Sequence, residues 1–324
     1  MSLLKELKKP ISSELKEFQK VFRQSVKSSV PLLDVIMNYI LKAKGKQIRP
    51  LIVLYSAALF DGINESTYRA AALIELLHTA TLVHDDVVDD SDRRRGRFSI
   101  NALWKNKIAV LVGDYLLSRG MLTALQAKDY HTLEIVSEAV KEMSEGELLQ
   151  IEKARKLDID ETIYYDVIRK KTASLLASCF AAGASSSCQN QEDINKMWAI
   201  GENAGMAFQI MDDLLDFEKS NITGKPSGID IKEKKMTLPL IYLLNQSSAL
   251  KKRKIINIVK RHNTNREKVN WLMDEVVSMG GIQYASEKMA EFKAKALDLL
   301  REYPESSHRL ALEQIIEFTI ERKK

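Results

Sequence analysis

Apolar residues recur every three to four positions along almost the whole chain, with charged residues filling the gaps. That period is the signature of amphipathic helices, and no stretch alternates strictly enough to predict a strand. The first such pattern covers residues 3 to 29. Pro31 and Pro50 mark helix starts, because a proline is tolerated in a first turn. The pattern breaks at Asp61-Gly62 and at Gly96. Long helices are predicted over 65–92, 100–127, 131–156, 160–184 and 191–219. Shorter ones are predicted over 237–246, 249–262, 266–279, 281–302 and 306–322. One clear loop, Asn221 to Lys235, is rich in Gly, Pro, Ser and Lys. No Pro/Gly/Ser linker divides the chain, so the expectation is a single all-α domain over residues 1–324, a large helical bundle.

Composition narrows this. Only 13 glycines and 6 prolines occur in 324 residues, too few turn-formers for a sandwich or barrel. A hydrophobic share of 45% with 29% charged residues supports a sizeable core and excludes global disorder. No uninterrupted apolar run reaches the roughly 18–20 residues of a membrane span. The N-terminal stretch is charged throughout and has no apolar signal core, so a cytoplasmic location is expected. A net charge of +5 is too thin to mark a nucleic-acid partner. Cys179 and Cys188 match neither a zinc spacing nor a disulfide framework.

The chemistry lies in two acidic runs. In LLHTATLVHDDVVDD, Asp85 and Asp89 stand four apart, on one helix face with Cβ atoms about 5–6 Å apart. His78 is two turns earlier on the same face. In FQIMDDLLDF, Gln209, Asp212, Asp213 and Asp216 fall at i, i+3, i+4 and i+7. Like charges so placed cost roughly 0.2–0.5 kcal/mol each when exposed. The cost is far greater when they are half buried, and both runs sit among Leu, Val, Ile and Phe. A hard divalent cation offsets that repulsion, and Mg²⁺ shares its oxygen ligands with phosphate. One acidic run alone reads most simply as a solvated helix face. Two with the same DDxxD spacing, each inside an apolar segment, do not. Lys46 and Arg49 in GKQIRP, Arg94 and Arg95, the Lys171-Thr172 pair, and Lys225 and Lys235 supply separated cations. Arg suits bidentate phosphate contacts and Lys a point charge, which suggests two phosphate-bearing ligands.

The pieces GKQIRP (45–50), ELLHTATLVHDDVVDDSDRRRG (75–96), NALWKNKIAVLVGDYLL (101–117), Lys171-Thr172, GMAFQIMDDLLDF (205–217) and GKPSGIDIKEKKMTLPLIYLL (224–244) carry a resemblance. Over about residues 30 to 245 the chain resembles the trans-polyprenyl diphosphate synthases of the farnesyl, geranylgeranyl and octaprenyl type. The resemblance implies a helical bundle around a deep central cavity, usually as a homodimer. It implies that Asp85 and Asp89, with Asp86 in support, hold two Mg²⁺ ions on the allylic diphosphate. Asp212 would hold a third, with Asp213 and Asp216 as neighbouring ligands, and Mn²⁺ can substitute. Arg94, Lys171 and Lys225 would bind the allylic diphosphate, with farnesyl diphosphate the expected primer. Lys46, Arg49, His78 and Arg95 would bind isopentenyl diphosphate, Lys235 in the long loop would also bind substrate, and Thr172 and Gln209 would line the reacting carbons. The loop departs from the family in one place: Lys234 stands where a glycine is frequent.

The implied reaction is a head-to-tail condensation. The allylic C–O bond ionises, the double bond of isopentenyl diphosphate attacks, and a proton is lost to the released diphosphate. One turn before Asp85 lie Ala80 and Thr81, where short-chain members carry a bulky floor. Their small size predicts a long product of about C35–C45, octaprenyl at the centre, on a path about 6 Å along the helix from the metals. Such a product fits a quinone side chain, released through at most peripheral membrane contact. Three other readings stand beside this one. The first is a short-chain synthase, and the second a metal phosphohydrolase built on His84-Asp85. The third is a non-catalytic subunit of a heteromeric synthase.

Overall fold

The computed structural model describes residues 3–42, 45–94, 96–156, 160–217 and 228–320. In chain order the helices are α1 (Leu3–Lys8), α2 (Ser12–Ser25), α3 (Pro31–Lys42), α4 (Ile48–Ala58), α5 (Glu65–Val88), α6 (Ile100–Ala127) and α7 (Tyr130–Lys156). Then come α8 (Glu161–Ile168), a π-helical turn (Arg169–Ala173), α9 (Ser174–Ser185), α10 (Gln191–Leu215) and the short α11 (Ile229–Lys232). The last are α12 (Leu238–Asn245), α13 (Ala249–Arg261), α14 (Arg266–Ser278), α15 (Gly281–Arg301) and α16 (Ser307–Ile320). The all-α expectation holds, with helix ends mostly within a few residues of those read from the sequence.

The differences have local causes. The single helix expected over 3–29 is broken at Pro10, which lacks an N–H and clashes with the preceding turn. Pro50 sits in the first turn of a helix that begins two residues earlier. A minimal hairpin, β1 (Arg93–Arg94) with β2 (Arg97–Phe98), was not expected; two-residue strands are too short to show a period of two. Gly96 turns it at φ 74°. The expected loop Asn221 to Lys235 contains α11, and its residues 221–227 lie outside the described residues.

Two compact units form. One comprises Met1–Val140, Ser178–Trp198 and Tyr303–Ile315, the other Lys141–Ala177, Ala199–Glu302 and Ile316–Lys324. Their segments alternate along the chain, so no change of composition marks a boundary.

In the first unit Leu76, Ala80 and Val83 of α5 pack with Ala109, Val112 and Leu116 of α6 and with Ile36 and Met37 of α3. Asn64 and Thr67 form a capping box that starts α5, and Ser99 caps α6. Among the described residues α6 alone has the length and apolar content of a membrane span, although Lys105, Lys107, Asp114 and Arg119 interrupt it. The core of the second unit joins Ile210 of α10, Leu240 and Leu243 of α12, Ile255 of α13, Leu272 and Val276 of α14, and Ala285 of α15.

Candidate active site

The first acidic run closes α5. Asp85 lies in its last turn and Asp89 is the C-cap, its N–H donating to the Asp85 carbonyl at 2.8 Å. Both side chains are exposed, one helical turn apart. Asp86 points the other way and is buried. Its Oδ1 accepts from Arg94 Nε at 2.7 Å, and its carbonyl accepts from Asn101 Nδ2 at 3.2 Å. Burial raises the Asp86 carboxyl, and the Arg94 guanidinium opposes that rise. The hairpin thus delivers Arg94 to α5. It is held in turn by Tyr39 Oη donating to the Phe98 carbonyl at 2.7 Å and by Arg93 stacked 5.0 Å from the Phe98 ring.

His78, Asp86 and Arg94 share one cavity of about 150 Å³, walled by Phe22, Tyr39 and Leu82. Gly45 and Gln47 line it as well, which puts the segment of Lys46 at its edge. Lys46 is exposed and Arg49 half-buried. Arg95 lies outside the described residues.

The second acidic run is built differently. Asp212 is exposed. Asp213 is buried, its Oδ2 accepting from Tyr164 Oη at 2.7 Å and its Oδ1 from Gln209 Nε2 at 2.9 Å. Burial, reinforced by the nearby charge of Asp230, pushes the Asp213 carboxyl up to about 7, and the two hydrogen bonds oppose the shift. Asp216 is half-buried, and its two oxygens accept the backbone N–H groups of Ile229 (2.9 Å) and Asp230 (3.1 Å), which tie down the start of α11. Asp230 itself is pushed up to about 6 by burial and by Asp216. Lys235 lies 3.7 Å from Asp230 and 2.6 Å from Glu233. Burial lowers the Lys235 ammonium, but those two carboxylates outweigh it and the net shift is upward. Lys225 lies outside the described residues.

Lys171 and Thr172 sit in the π-helical turn, a distortion frequent at functional sites. Thr172 Oγ1 donates to Gln209 Oε1 at 2.8 Å. A chain therefore runs Thr172–Gln209–Asp213–Tyr164. Ionised Asp213 can only accept, so it fixes which end of the Gln209 amide faces it. Lys171 Nζ is ion-paired with Glu147 and donates to Gln150 at 3.3 Å.

Two glycines let neighbouring helices reach the π turn. A Cβ on Gly146 of α7 would sit 2.6 Å from the Lys171 nitrogen, and one on Gly205 of α10 would sit 2.5 Å from the Ala173 Cα. Tyr164, Gly146 and Gly205 were missed in the sequence. Glycines inside otherwise helical patterns were the available signal for the last two.

Ala80 and Thr81, read together from the sequence, part company here. Ala80 is fully buried among α3, α5 and α6, whereas Thr81 is half-exposed, one turn before Asp85. His84 does not support the hydrolase reading. Its Nε2 lies 3.2 Å from the Val110 carbonyl and 3.5 Å from Asp114, over Gly113 of α6.

A family profile described as Polyprenyl synthetase matches residues 30–276. The chain belongs to that family. An all-trans-nonaprenyl-diphosphate synthase (geranyl-diphosphate specific) of Rhodobacter capsulatus is 33% identical over 317 residues, 97% of this chain and 96% of that protein. The crystal structure of a polyprenyl synthase from Caulobacter crescentus CB15, complexed with calcium and isoprenyl diphosphate, matches with a TM-score of 0.89 at 29% identity, covering 99% of this chain and 98% of that one. A geranylgeranyl pyrophosphate synthase from Bacteroides thetaiotaomicron matches with a TM-score of 0.82 at 37% identity, covering 98% of each chain. The synthase is a prenyltransferase of the trans-polyprenyl type, with the all-α isoprenoid synthase fold.

Among the described residues no three acidic, His or Cys side chains converge to hold a metal unaided. That donor set fits Mg²⁺, which takes one or two carboxylates and completes its shell with water and phosphate.

Proposed function

We propose that the synthase adds isopentenyl diphosphate repeatedly to an allylic diphosphate, farnesyl diphosphate by preference, with Mg²⁺ as cofactor. The observation that carries this is the pair of exposed carboxylates, Asp85 and Asp89, on an α5 end anchored from behind by the buried Asp86–Arg94 pair. Asp85 and Asp89 would hold two ions and Asp212 the third. Bound there, the metal supplies Lewis-acid neutralisation of the charge on the departing diphosphate.

The protein's own groups do the rest. Arg94 spends its Nε on Asp86 and offers its terminal amino groups to a phosphate. Lys171, set off the helix axis by the π turn, meets the allylic diphosphate, and Lys46, Arg49 and His78 meet isopentenyl diphosphate. Thr172 donates to Gln209, so its oxygen keeps its lone pairs for the carbocation. Asp213, Asp216 and Tyr164 act as positioning residues, because the carboxylate oxygens already accept from protein donors. The deciding experiment incubates the protein with Mg²⁺, labelled isopentenyl diphosphate and farnesyl diphosphate, and sizes the products. Metal-independent release of inorganic phosphate without condensation would refute the reading.

The product is long, with octaprenyl as the central expectation and a quinone side chain as its use. Thr81 is the better probe of length, since a bulky residue at fully buried Ala80 would overpack the core. Thr81→Phe is expected to shorten the products while condensation continues, read by the same chromatography.

Both substrates are water-soluble diphosphates, which supports a reaction in the aqueous cytoplasm. A homodimer would cover the outer face of α6, where Val110, Leu111, Met121, Leu122 and Leu125 are 41–56% exposed.

A further inference from the structure

The charge of the chain is spread unevenly. α13 carries Lys251, Lys252, Arg253, Lys254, Lys260 and Arg261, and none of its 13 residues is acidic. These cations outnumber the whole net charge of +5, so the rest of the chain is close to neutral. Lys251 to Lys254 is also the longest uninterrupted basic run in the sequence.

The inner face of α13 is settled: Ile255, Ile258 and Val259 are buried in the core of the second unit. Lys251 is paired with Glu275 at 2.5 Å, and the Lys254 ammonium stands 3.5 Å over the Trp271 ring. Arg253, Lys260 and Arg261 are exposed. At the start of the helix Leu250 is 78% exposed, the most of any large apolar side chain among the described residues.

Beyond the Lys251 and Lys254 contacts, neither feature adds to the fold. Four cations near a helix N-terminus oppose the macrodipole, which favours acids there. A leucine left in water loses the gain of burial. A basic face with one protruding apolar side chain has a natural complement in a surface of phosphate headgroups over hydrocarbon. We propose that the outer face of α13, with Leu250 at its end, docks the synthase on an anionic lipid bilayer. The proposal rests on the long-chain reading, since a polyprenyl tail of that length has to be handed to a bilayer rather than to water.

Sedimentation of the full-length synthase with lipid vesicles tests it. Binding is expected to vesicles of phosphatidylcholine mixed with phosphatidylglycerol, not to phosphatidylcholine alone, and to weaken with salt. Each basic residue at such a surface is worth roughly five-fold in partitioning, so the neutral R253Q/K260Q/R261Q, the safer variant for folding, is expected to lose about a hundred-fold. The charge-reversed R253E/K260E/R261E should lose more than that. Leu250→Ser should lower binding a few-fold and leave the salt dependence alone. Turnover on soluble substrates should stay within two-fold in all of them. No binding to the anionic vesicles, or binding unaffected by charge reversal, would overturn the proposal. Capture on polyglutamate as strong as on vesicles, with Leu250→Ser silent, would assign the face to an acidic protein and overturn it too. Product sizing separates the two readings. Short products with intact vesicle binding defeat the long-chain reading alone, and long products without vesicle binding defeat the docking alone.

Discussion

The two acidic runs share one spacing and are built on different plans. At the end of α5 two carboxylates, Asp85 and Asp89, face outward, and the third is buried against a cation, Arg94. At the end of α10 only Asp212 faces outward. The other two are committed inward, Asp213 to neutral donors and Asp216 to the backbone of α11. A DDxxD pattern therefore does not state how many ligands it offers. The number depends on which face of the helix the protein covers, and with what. On the proposed reading, the first run would serve two ions, and the second would serve one while bracing the Thr172–Gln209 pair.

That contrast breaks most visibly under alanine substitution. Asp85→Ala, Asp89→Ala and Asp212→Ala should each lower turnover at saturating Mg²⁺ by about 10³-fold or more, with helical content unchanged by circular dichroism. Asp216→Asn should cost much less and leave the Mg²⁺ concentration for half-maximal rate nearly unmoved. If Asp216→Asn instead demanded far more Mg²⁺, the second run would be a multi-ligand site like the first.

A smaller effect is expected one step behind Asp213. Tyr164→Phe removes a donor to a buried carboxylate, a contact worth roughly 1.5–3 kcal/mol, or about ten-fold or more. Steady-state kinetics should show kcat falling by about that factor while KM for both substrates changes little, because the altered group orients Gln209 and touches neither diphosphate. Thermal unfolding of the same variant would show only the loss of stability, so the split between kcat and KM separates positioning from packing.

The burial of Asp213, reinforced by the charge of Asp230, also gives the second run its own pH response. Its folded-state carboxyl, near 7, and that of Asp230, near 6, lie above the roughly 3.9 of an unfolded aspartate. The folded state therefore holds protons that the unfolded state has released, and stability falls as pH rises from about 4 through 7. In chelator-treated protein the melting temperature should decline from pH 5 to pH 8, and Asp213→Asn should flatten the decline. A melting temperature that rises over that range would show Asp213 to be stably ionised.

Much of this was legible beforehand, for identifiable reasons. Helices declare themselves through a period of 3.6, and the two acidic runs through charges placed where an apolar face ought to be. Tyr164 and Asp213 are 49 residues apart, and nothing local to either marks the pairing. The π turn at Lys171 leaves the apolar period almost intact, so only Gly146 and Gly205, lying against it, hint that the backbone departs from an α-helix. The inward turn of Asp86 is settled by a hairpin too short to have a pattern.

The smallest test concerns the left-handed residues that follow α5 and α11. Asp90, just past α5, has φ 51°, and Lys234, just past α11, has φ 61°. Both are left-handed, but an aspartate tolerates that region far better than a lysine, whose side chain offers the backbone no local hydrogen bond. A left-handed non-glycine residue costs roughly 1–2 kcal/mol, and a glycine gives back part of that through its freer unfolded chain. Lys234→Gly should therefore gain about 0.5 kcal/mol net, a rise of one or two degrees in melting temperature for a chain of this size. Asp90→Gly should gain less or nothing. The side chain of Lys234 is exposed, so no packing is lost to confuse the measurement. Equal gains at both positions would mean that Asp90 has no local support of its own. A loss at Lys234 would mean that the lysine side chain holds the α11 segment, and with it Asp216, in place.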